Sequence, residues 1–311
     1  MMWPFSSGAV LGWALGANDA SNVFGTAVAT RLIRFRTAAI LLIVFLLIGA
    51  VHEGPKCMTT VNAVVQTTAT TAFLVTLSAG LVMLMMSVLA LPASSSQALI
   101  GALLFIGCVE GAPDWGVLIK ISLCWLLTPV SAGVLSALLY TVLGFLLRPL
   151  ISHVMWRTAV LRYAVILTGC YGAYSLGSNN VANVFGVYVG AGLLSAQSAA
   201  LYGGLAIALG VATYSHKVMM TVGRDIVPLD AFSAFITVLA LAISTHLFTQ
   251  IGVPVSSTQA VVGSVLGLGL LKNSSKINTR IVSRIVSGWV ATPLAGWLTC
   301  LLLFTLMNAF I

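Results

Sequence analysis

The chain has 311 residues, 59% of them hydrophobic and 6% charged, with a formal net charge of +8. A soluble domain carries about 25% charged residues, so a soluble enzyme is excluded. The basic residues sit in short loops between apolar runs rather than in a patch, which excludes a nucleic-acid partner and marks them as topology signals. Residues 38–51, 73–91 and 117–147 are almost uncharged and do not alternate in polarity. They predict an all-α polytopic membrane protein embedded in the lipid bilayer, not a β-barrel. Cys57, Cys108, Cys124, Cys170 and Cys300 are scattered without a CxxC and are expected to be inert.

Met1 to Val10 lacks a basic n-region and reads as the start of a mature helix. The first polar stretch is Gly16-Ala17-Asn18-Asp19-Ala20-Ser21-Asn22-Val23-Phe24-Gly25. It returns as Gly177-Ser178-Asn179-Asn180-Val181-Ala182-Asn183-Val184-Phe185-Gly186. Leu15–Leu32 lies on Leu176–Leu193 at an offset of 161, and Leu91–Gly107 on Val253–Gly269 at 162. Trp125-Leu126-Leu127-Thr128-Pro129 lies on Trp289-Val290-Ala291-Thr292-Pro293 at 164. Three matches in one order predict two copies of one unit. The expected division is residues 1–147, a cytoplasmic interfacial linker at 148–162 with Trp156 as its aromatic anchor, and residues 163–311.

Loop charge sets the orientation. Arg31, Arg34 and Arg36 follow the first motif, whereas the matching place in copy two, 191–197, is uncharged. Glu110 and Asp114 mark a later acidic loop in copy one, and the matching place holds Lys272, Lys276, Arg280 and Arg284. Basic loops stay cytoplasmic, so equivalent loops lie on opposite sides and the copies are expected to be inverted. This gives about ten crossings of the cell membrane with both termini outside.

Each copy offers two polar elements with little place in hydrocarbon unless they face a protected cavity. Asn18, Asp19 and Asn22 are spaced i, i+1, i+4, so Asn18 and Asn22 share a helix face, and Gly16 and Gly177 are expected to break their helices and free backbone N–H groups. Pro92-Ala93-Ser94-Ser95-Ser96-Gln97 returns as Pro254-Val255-Ser256-Ser257-Thr258-Gln259. Proline ends one half-helix and Ser or Thr begins the next. Half-helix N-termini offer unpaired donors and partial positive charge, so they bind an anion without buried Lys or Arg. Neither motif contains Lys or Arg.

These motifs resemble those of the inorganic phosphate transporter family (PiT), which carries GANDxAN-type and P-x-S-T-T-H-type sequences in both halves. The likeness runs from about Val10 to Thr292. It implies an inverted-repeat symporter with broken or re-entrant half-helices, moving inorganic phosphate with a cation, usually sodium. It also implies a homodimer and an elevator-like motion. By position, the oxyanion ligands would be Asn18, Asp19, Ser94, Ser95, Asn179, Asn180, Ser256 and Ser257, with Asn22, Asn183, Ser96 and Thr258 beside them. The chain departs from the family at Asn180, where Asp is usual, and at Gln97 and Gln259, where His is usual. Leu46 replaces a carboxylate tied to sodium chemistry, and the matching position, near Ile207, is also apolar. The co-transported ion is therefore sodium or a proton, with Asp19 as the group that handles it.

Asn180 also bears on substrate. Phosphate near neutral pH keeps a proton that it can donate to a carboxylate, whereas sulfate only accepts; Asp19 favours phosphate, and the missing second Asp leaves a sulfate permease as the alternative. A channel on the same broken helices is a further alternative. A hydrolase finds no Gly-x-Ser-x-Gly or HExxH. Among the remaining polar residues, His246 is expected to be a packed, hydrogen-bonded histidine, with a proton relay as the alternative. Glu53 is a candidate to replace the missing coupling carboxylate, but beside Gly54-Pro55-Lys56 it is expected in a loop. His216-Lys217 and Arg224-Asp225 are expected to anchor the interface. Gly25, Gly186, Gly101 and Gly263 are expected at close helix contacts.

Overall fold

A computed structural model describes residues 3–88, 93–111, 113–147, 154–225, 230–272 and 279–310. Within them the chain is helical: α1 (Phe5–Ala29), α2 (Phe35–Glu53), α3 (Pro55–Asn62), α4 (Ala69–Val88), α5 (Ser95–Glu110), α6 (Trp115–Leu147), α7 (Val154–Gly190), α8 (Ala196–Asp225), α9 (Ala231–Gln250), α10 (Ser257–Leu271) and α11 (Thr279–Phe310). Residues 154–162, expected as part of a linker, form the first turns of α7. Arg148, His153, Pro92 and Lys276 lie outside the described residues, as do the side chains of Trp156, Arg157, Arg224, Asp225, Arg280 and Arg284.

Helix ends follow local chemistry. Gly111, at φ 80, closes α5 in the left-handed region that glycine adopts without strain. Asp230 caps α9, accepting from the Ser233 N–H at 3.0 Å and from Lys272 Nζ at 3.0 Å. Partial burial alone would raise the Asp230 carboxyl, but the Ser233 donors and the Lys272 ammonium hold it below the usual carboxylate range.

Among the described residues, six helical stretches are long and apolar enough to cross a membrane: Phe35–Glu53, Ala69–Ser87, Trp115–Leu147, Ala196–Met220, Ala231–Gln250 and Val286–Ala309. α5 and α10 are shorter apolar helices, and α1 and α7 carry the polar motifs. On α11, Val290, Leu294, Leu298 and Leu302 form an exposed apolar ridge at every fourth residue, as a lipid-facing surface requires.

The packing is reciprocal between the halves. α1 packs on α8 as α7 packs on α2; α5 packs on α11 as α10 packs on α6. The repeat offset reappears at atomic contacts. A Cβ on Gly16 would stand 1.9 Å from the Ile207 carbonyl oxygen, and one on Gly177 would stand 2.0 Å from that of Leu46. Likewise Gly101 faces the Pro293 carbonyl at 2.0 Å and Gly263 that of Pro129 at 2.1 Å. Each pair is the image of the other, so both halves use one device: a glycine that lets a backbone carbonyl of the other half come into contact.

This corrects the expected role of Gly16 and Gly177. α1 runs unbroken from Phe5 to Ala29 and α7 from Val154 to Gly190. The glycines admit a neighbouring helix and do not interrupt their own. Gly101 and Gly263 are close-packing positions as expected, whereas Gly25 and Gly186 have ordinary contacts, the nearest at 3.6 and 3.5 Å. The breaks fall between α4 and α5 and between α9 and α10, at the serine motifs.

Gly16→Ala should cost about 1–3 kcal/mol through forced separation of α1 and α8, read as a lowered Tm in detergent. Gly25→Ala, with room for a methyl, should be neutral or gain up to about 1 kcal/mol. Equal Tm values for the two variants would contradict the packing described.

Candidate functional site

Four elements bring the repeated motifs into the interior. α1 supplies Asn18, Asp19 and Asn22 from mid-helix, and α7 supplies Asn179, Asn180 and Asn183. The first turns of α5 and α10 supply Ser94, Ser95, Ser96 and Ser256, Ser257, Thr258. All are buried except Asn18 and Asn22, which are half-buried.

The two serine motifs meet directly: Thr258 Oγ1 donates to the Ala93 carbonyl at 3.2 Å. Each begins a helix with a capping serine. Ser94 Oγ accepts from the Gln97 N–H at 3.4 Å, and Ser256 Oγ from the Gln259 N–H at 3.3 Å. The caps serve the third residue of each first turn, leaving the first two N–H groups without an intrahelical partner. Two helix N-termini, not four half-helix ends, therefore provide backbone donors, because α1 and α7 stay intact.

α1 reaches across to α10. Ser257 Oγ donates to Asp19 Oδ2 at 2.9 Å, and Asn22 Nδ2 donates to Ser257 Oγ at 3.4 Å. On the α7 side, Asn183 Nδ2 donates to Asn180 Oδ1 at 3.2 Å. Ser94 and Ser96 hydroxyls lie 3.1 Å apart.

The leading asparagines of the two motifs act as braces. Asn18 Nδ2 donates to Ser87 Oγ at 3.0 Å near the end of α4. Asn179 Nδ2 donates to Thr249 Oγ1 at 2.9 Å near the end of α9, and its Oδ1 accepts from the Val255 N–H at 2.9 Å. Both amides tie a motif helix to the segment that breaks before a serine turn. Asn179 is spent on this bracing, so its path to a substrate runs through the segment it holds.

Four buried acceptors of the repeated motifs are left over. Among the described residues, Asp19 Oδ1, Asn183 Oδ1, Gln97 Oε1 and Gln259 Oε1 have no hydrogen-bond partner. Each such atom costs about 1–3 kcal/mol in a folded interior, so each calls for a partner that the chain itself does not supply. Gln97 and Gln259 stand in the sequence as departures from a pattern. Their position, three residues after each capping serine, is the signal that could have put them in the site.

Glu53 and His246 form a second polar cluster that sequence reasoning missed. Glu53 is not in a loop; it is the buried last residue of α2. His246 Nε2 lies 2.7 Å from Glu53 Oε2, so the histidine is hydrogen-bonded as expected, but to a carboxylate 193 positions away. His216 packs edge-on against Phe35.

A helical membrane protein whose two halves meet at a buried polar site built on broken helices has the architecture of a secondary transporter. A family model for the phosphate transporter family matches residues 15–300, and the chain belongs to that family, one of transporters rather than enzymes. A relative from Methanocaldococcus jannaschii, provisionally named a phosphate permease, is 30% identical over 280 residues, covering 90% of this chain and 89% of its own. One of the same provisional name from Pyrococcus furiosus is 27% identical and covers 96% and 94%. Sodium-dependent phosphate transporter 1 of Mus musculus is 32% identical over 146 residues, 43% of this chain and 21% of that protein. A solved structure titled as a sodium-dependent phosphate transporter shares the fold, with a TM-score of 0.88 at 22% identity, across 99% of this chain and 98% of that one.

Ser257→Ala removes the hydroxyl that holds Asp19 Oδ2. Losing one charge-assisted bond of about 1.5–3 kcal/mol should weaken anion binding by about tenfold or more, measured by titration calorimetry on purified protein. An unchanged affinity would separate Ser257 from the site.

Proposed function

We propose that the chain carries inorganic phosphate across the cell membrane by cation-coupled alternating access around the site formed by α1, α5, α7 and α10. The observation that carries this reading is the setting of Asp19. It is the single charged residue in the four motifs, and its free Oδ1 is buried beside the first turn of α10. Helix N-termini and hydroxyls attract an anion there. A carboxylate in the same place repels one: two unit charges 4 Å apart cost about 4 kcal/mol at an effective dielectric of 20. A cation bound with the anion cancels that repulsion, so loading one favours loading the other. This is symport in electrostatic terms.

Sodium is the cation favoured here. Asp19 Oδ1, Asn183 Oδ1, Gln97 Oε1 and Gln259 Oε1 are hard oxygen donors, the kind a small hard cation takes, and two relatives carry sodium dependence in their names. The alternative is a proton on Asp19. Phosphate is favoured over sulfate for the same reason: its retained proton can be donated to Asp19. The relatives described above are named for phosphate, and sulfate finds no support among them.

The ligand set extends by position to Asn22, Ser94, Ser95, Ser96, Asn180, Ser256 and Thr258, with Asn18 and Asn179 acting through the segments they brace. Reciprocal packing together with opposite loop charge supports inverted halves at 1–147 and 163–311 with both termini outside. A homodimer remains part of the proposal through the resemblance alone.

Asp19→Asn should abolish sodium-driven uptake of labelled phosphate into proteoliposomes; unchanged uptake would remove Asp19 from the mechanism. Excess sulfate should leave wild-type phosphate uptake intact, and competition by sulfate would favour the alternative substrate.

A further inference from the structure

The Glu53–His246 cluster is separate from the phosphate site. Glu53, at the end of α2, receives hydrogen bonds from three residues. His246 Nε2 lies 2.7 Å from Oε2, Lys56 Nζ 2.8 Å from Oε1, and Gln250 Nε2 3.1 Å from both oxygens. Lys56 Nζ also donates to Gln250 Oε1 at 2.7 Å. On its other side, His246 Nδ1 lies 2.7 Å from the Tyr171 hydroxyl. The titratable groups facing this point are His52 and Glu53 from α2, Lys56 and Cys57 from α3, Tyr171 and Tyr174 from α7, and His246 from α9. His52 is held at one remove, through Tyr174 at 2.8 Å.

The arrangement suits a group that gains and loses a proton. With neutral His246 protonated at Nε2, that nitrogen donates to Glu53 and Nδ1 accepts from the Tyr171 O–H; in the other tautomer Nε2 accepts from Gln250 Nε2, 2.8 Å away, and Nδ1–H donates to the Tyr171 oxygen. With the imidazolium, both nitrogens donate and the Tyr171 oxygen accepts. A phenol hydroxyl does either by rotating, so neither state strands a buried polar atom. The charge changes all the same. Glu53 and Lys56 cancel when His246 is neutral, and its protonation adds one positive charge.

That charge stands one layer from the phosphate motif. Thr249, one turn from Thr245 on α9, accepts from Asn179 Nδ2 at 2.9 Å, and Thr245 is hydrogen-bonded to Ser175 of α7. The same last turns of α9 thus hold His246 on one face and brace α7 on another. The cluster joins the two halves, Glu53 and Lys56 from the first and Tyr171, His246 and Gln250 from the second, and has no symmetry-related copy. At the repeat offsets of 161 and 162, Tyr214 stands for Glu53 and Leu84 for His246. A device present once, at one end of α2, acts on one access path.

We propose that Glu53, His246 and Tyr171 form a proton-binding site that tunes phosphate loading from the side on which α2 ends, the outer side by loop charge. This rests on the reading of the chain as a phosphate carrier. The proton moves between bulk water and the imidazole; no other bond changes.

The test uses purified protein in proteoliposomes under a fixed sodium gradient. Labelled phosphate uptake is followed as outer pH is varied from about 5 to 8, the range in which histidine changes charge, with inner pH held constant, and then the reverse. Phosphate itself titrates in this range, so the readout is the ratio of wild-type to His246→Gln rates. That ratio should be near one at the alkaline end, rise about fivefold as outer pH falls, and ignore inner pH. A ratio flat against outer pH, with wild-type uptake present, overturns the proton site and leaves the carrier reading standing. Absence of wild-type uptake at every pH overturns both. Nitrogen NMR of the wild-type histidines, with His246 assigned by its loss in His246→Gln, gives a second measure independent of transport. Ring signals that stay fixed across the same range also overturn the proposal.

Discussion

The hydrogen bond from Ser257 of α10 to Asp19 of α1, at 2.9 Å, is the shortest of those that cross between the two halves at the repeated motifs. It fixes a carboxylate beside a helix N-terminus and leaves the second oxygen unpartnered. Every other feature of the site follows from that. Serine caps hold the first turns of α5 and α10 in place, Thr258 ties those turns together, and Asn18 and Asn179 brace the motif helices against the segments that precede them. In the proposed carrier, an anion drawn to the helix ends shares space with Asp19, and a co-bound cation offsets the repulsion between them.

The scaffold serves this centre through close backbone contact. Glycine–carbonyl approaches recur in matched pairs, Gly16 with Ile207 and Gly177 with Leu46, then Gly101 with Pro293 and Gly263 with Pro129. Helices in lipid gain little from burying apolar side chains against each other, so van der Waals packing at small residues carries the association. Rigid pairing of α1 with α8 and α7 with α2 lets the site be built from side chains on intact helices, with backbone ends supplied only at the serine turns.

Much of this was legible in the sequence because repetition exposed it. Membrane class, the doubled motifs and the interior placement of Asp19 and the serines can be read from composition and offset. What misled was the meaning of glycine: a glycine beside a polar run reads as a helix break, yet the same residue admits a neighbour's carbonyl, and only the partner helix tells the two apart. Gln97 and Gln259 look like losses from a pattern until burial shows their oxygens unpartnered. Glu53 and His246 are 193 positions apart and have no counterparts in the other half, so neither spacing nor symmetry could join them.

The central claim is that cation and anion load together because Asp19 stands between them. Calorimetric titration of phosphate into the purified protein, in sodium and then in choline of equal ionic strength, tests it most directly. The account predicts that sodium tightens phosphate binding by about fivefold or more, with phosphate tightening sodium binding by the same factor. Phosphate affinity that is identical in the two media would contradict it.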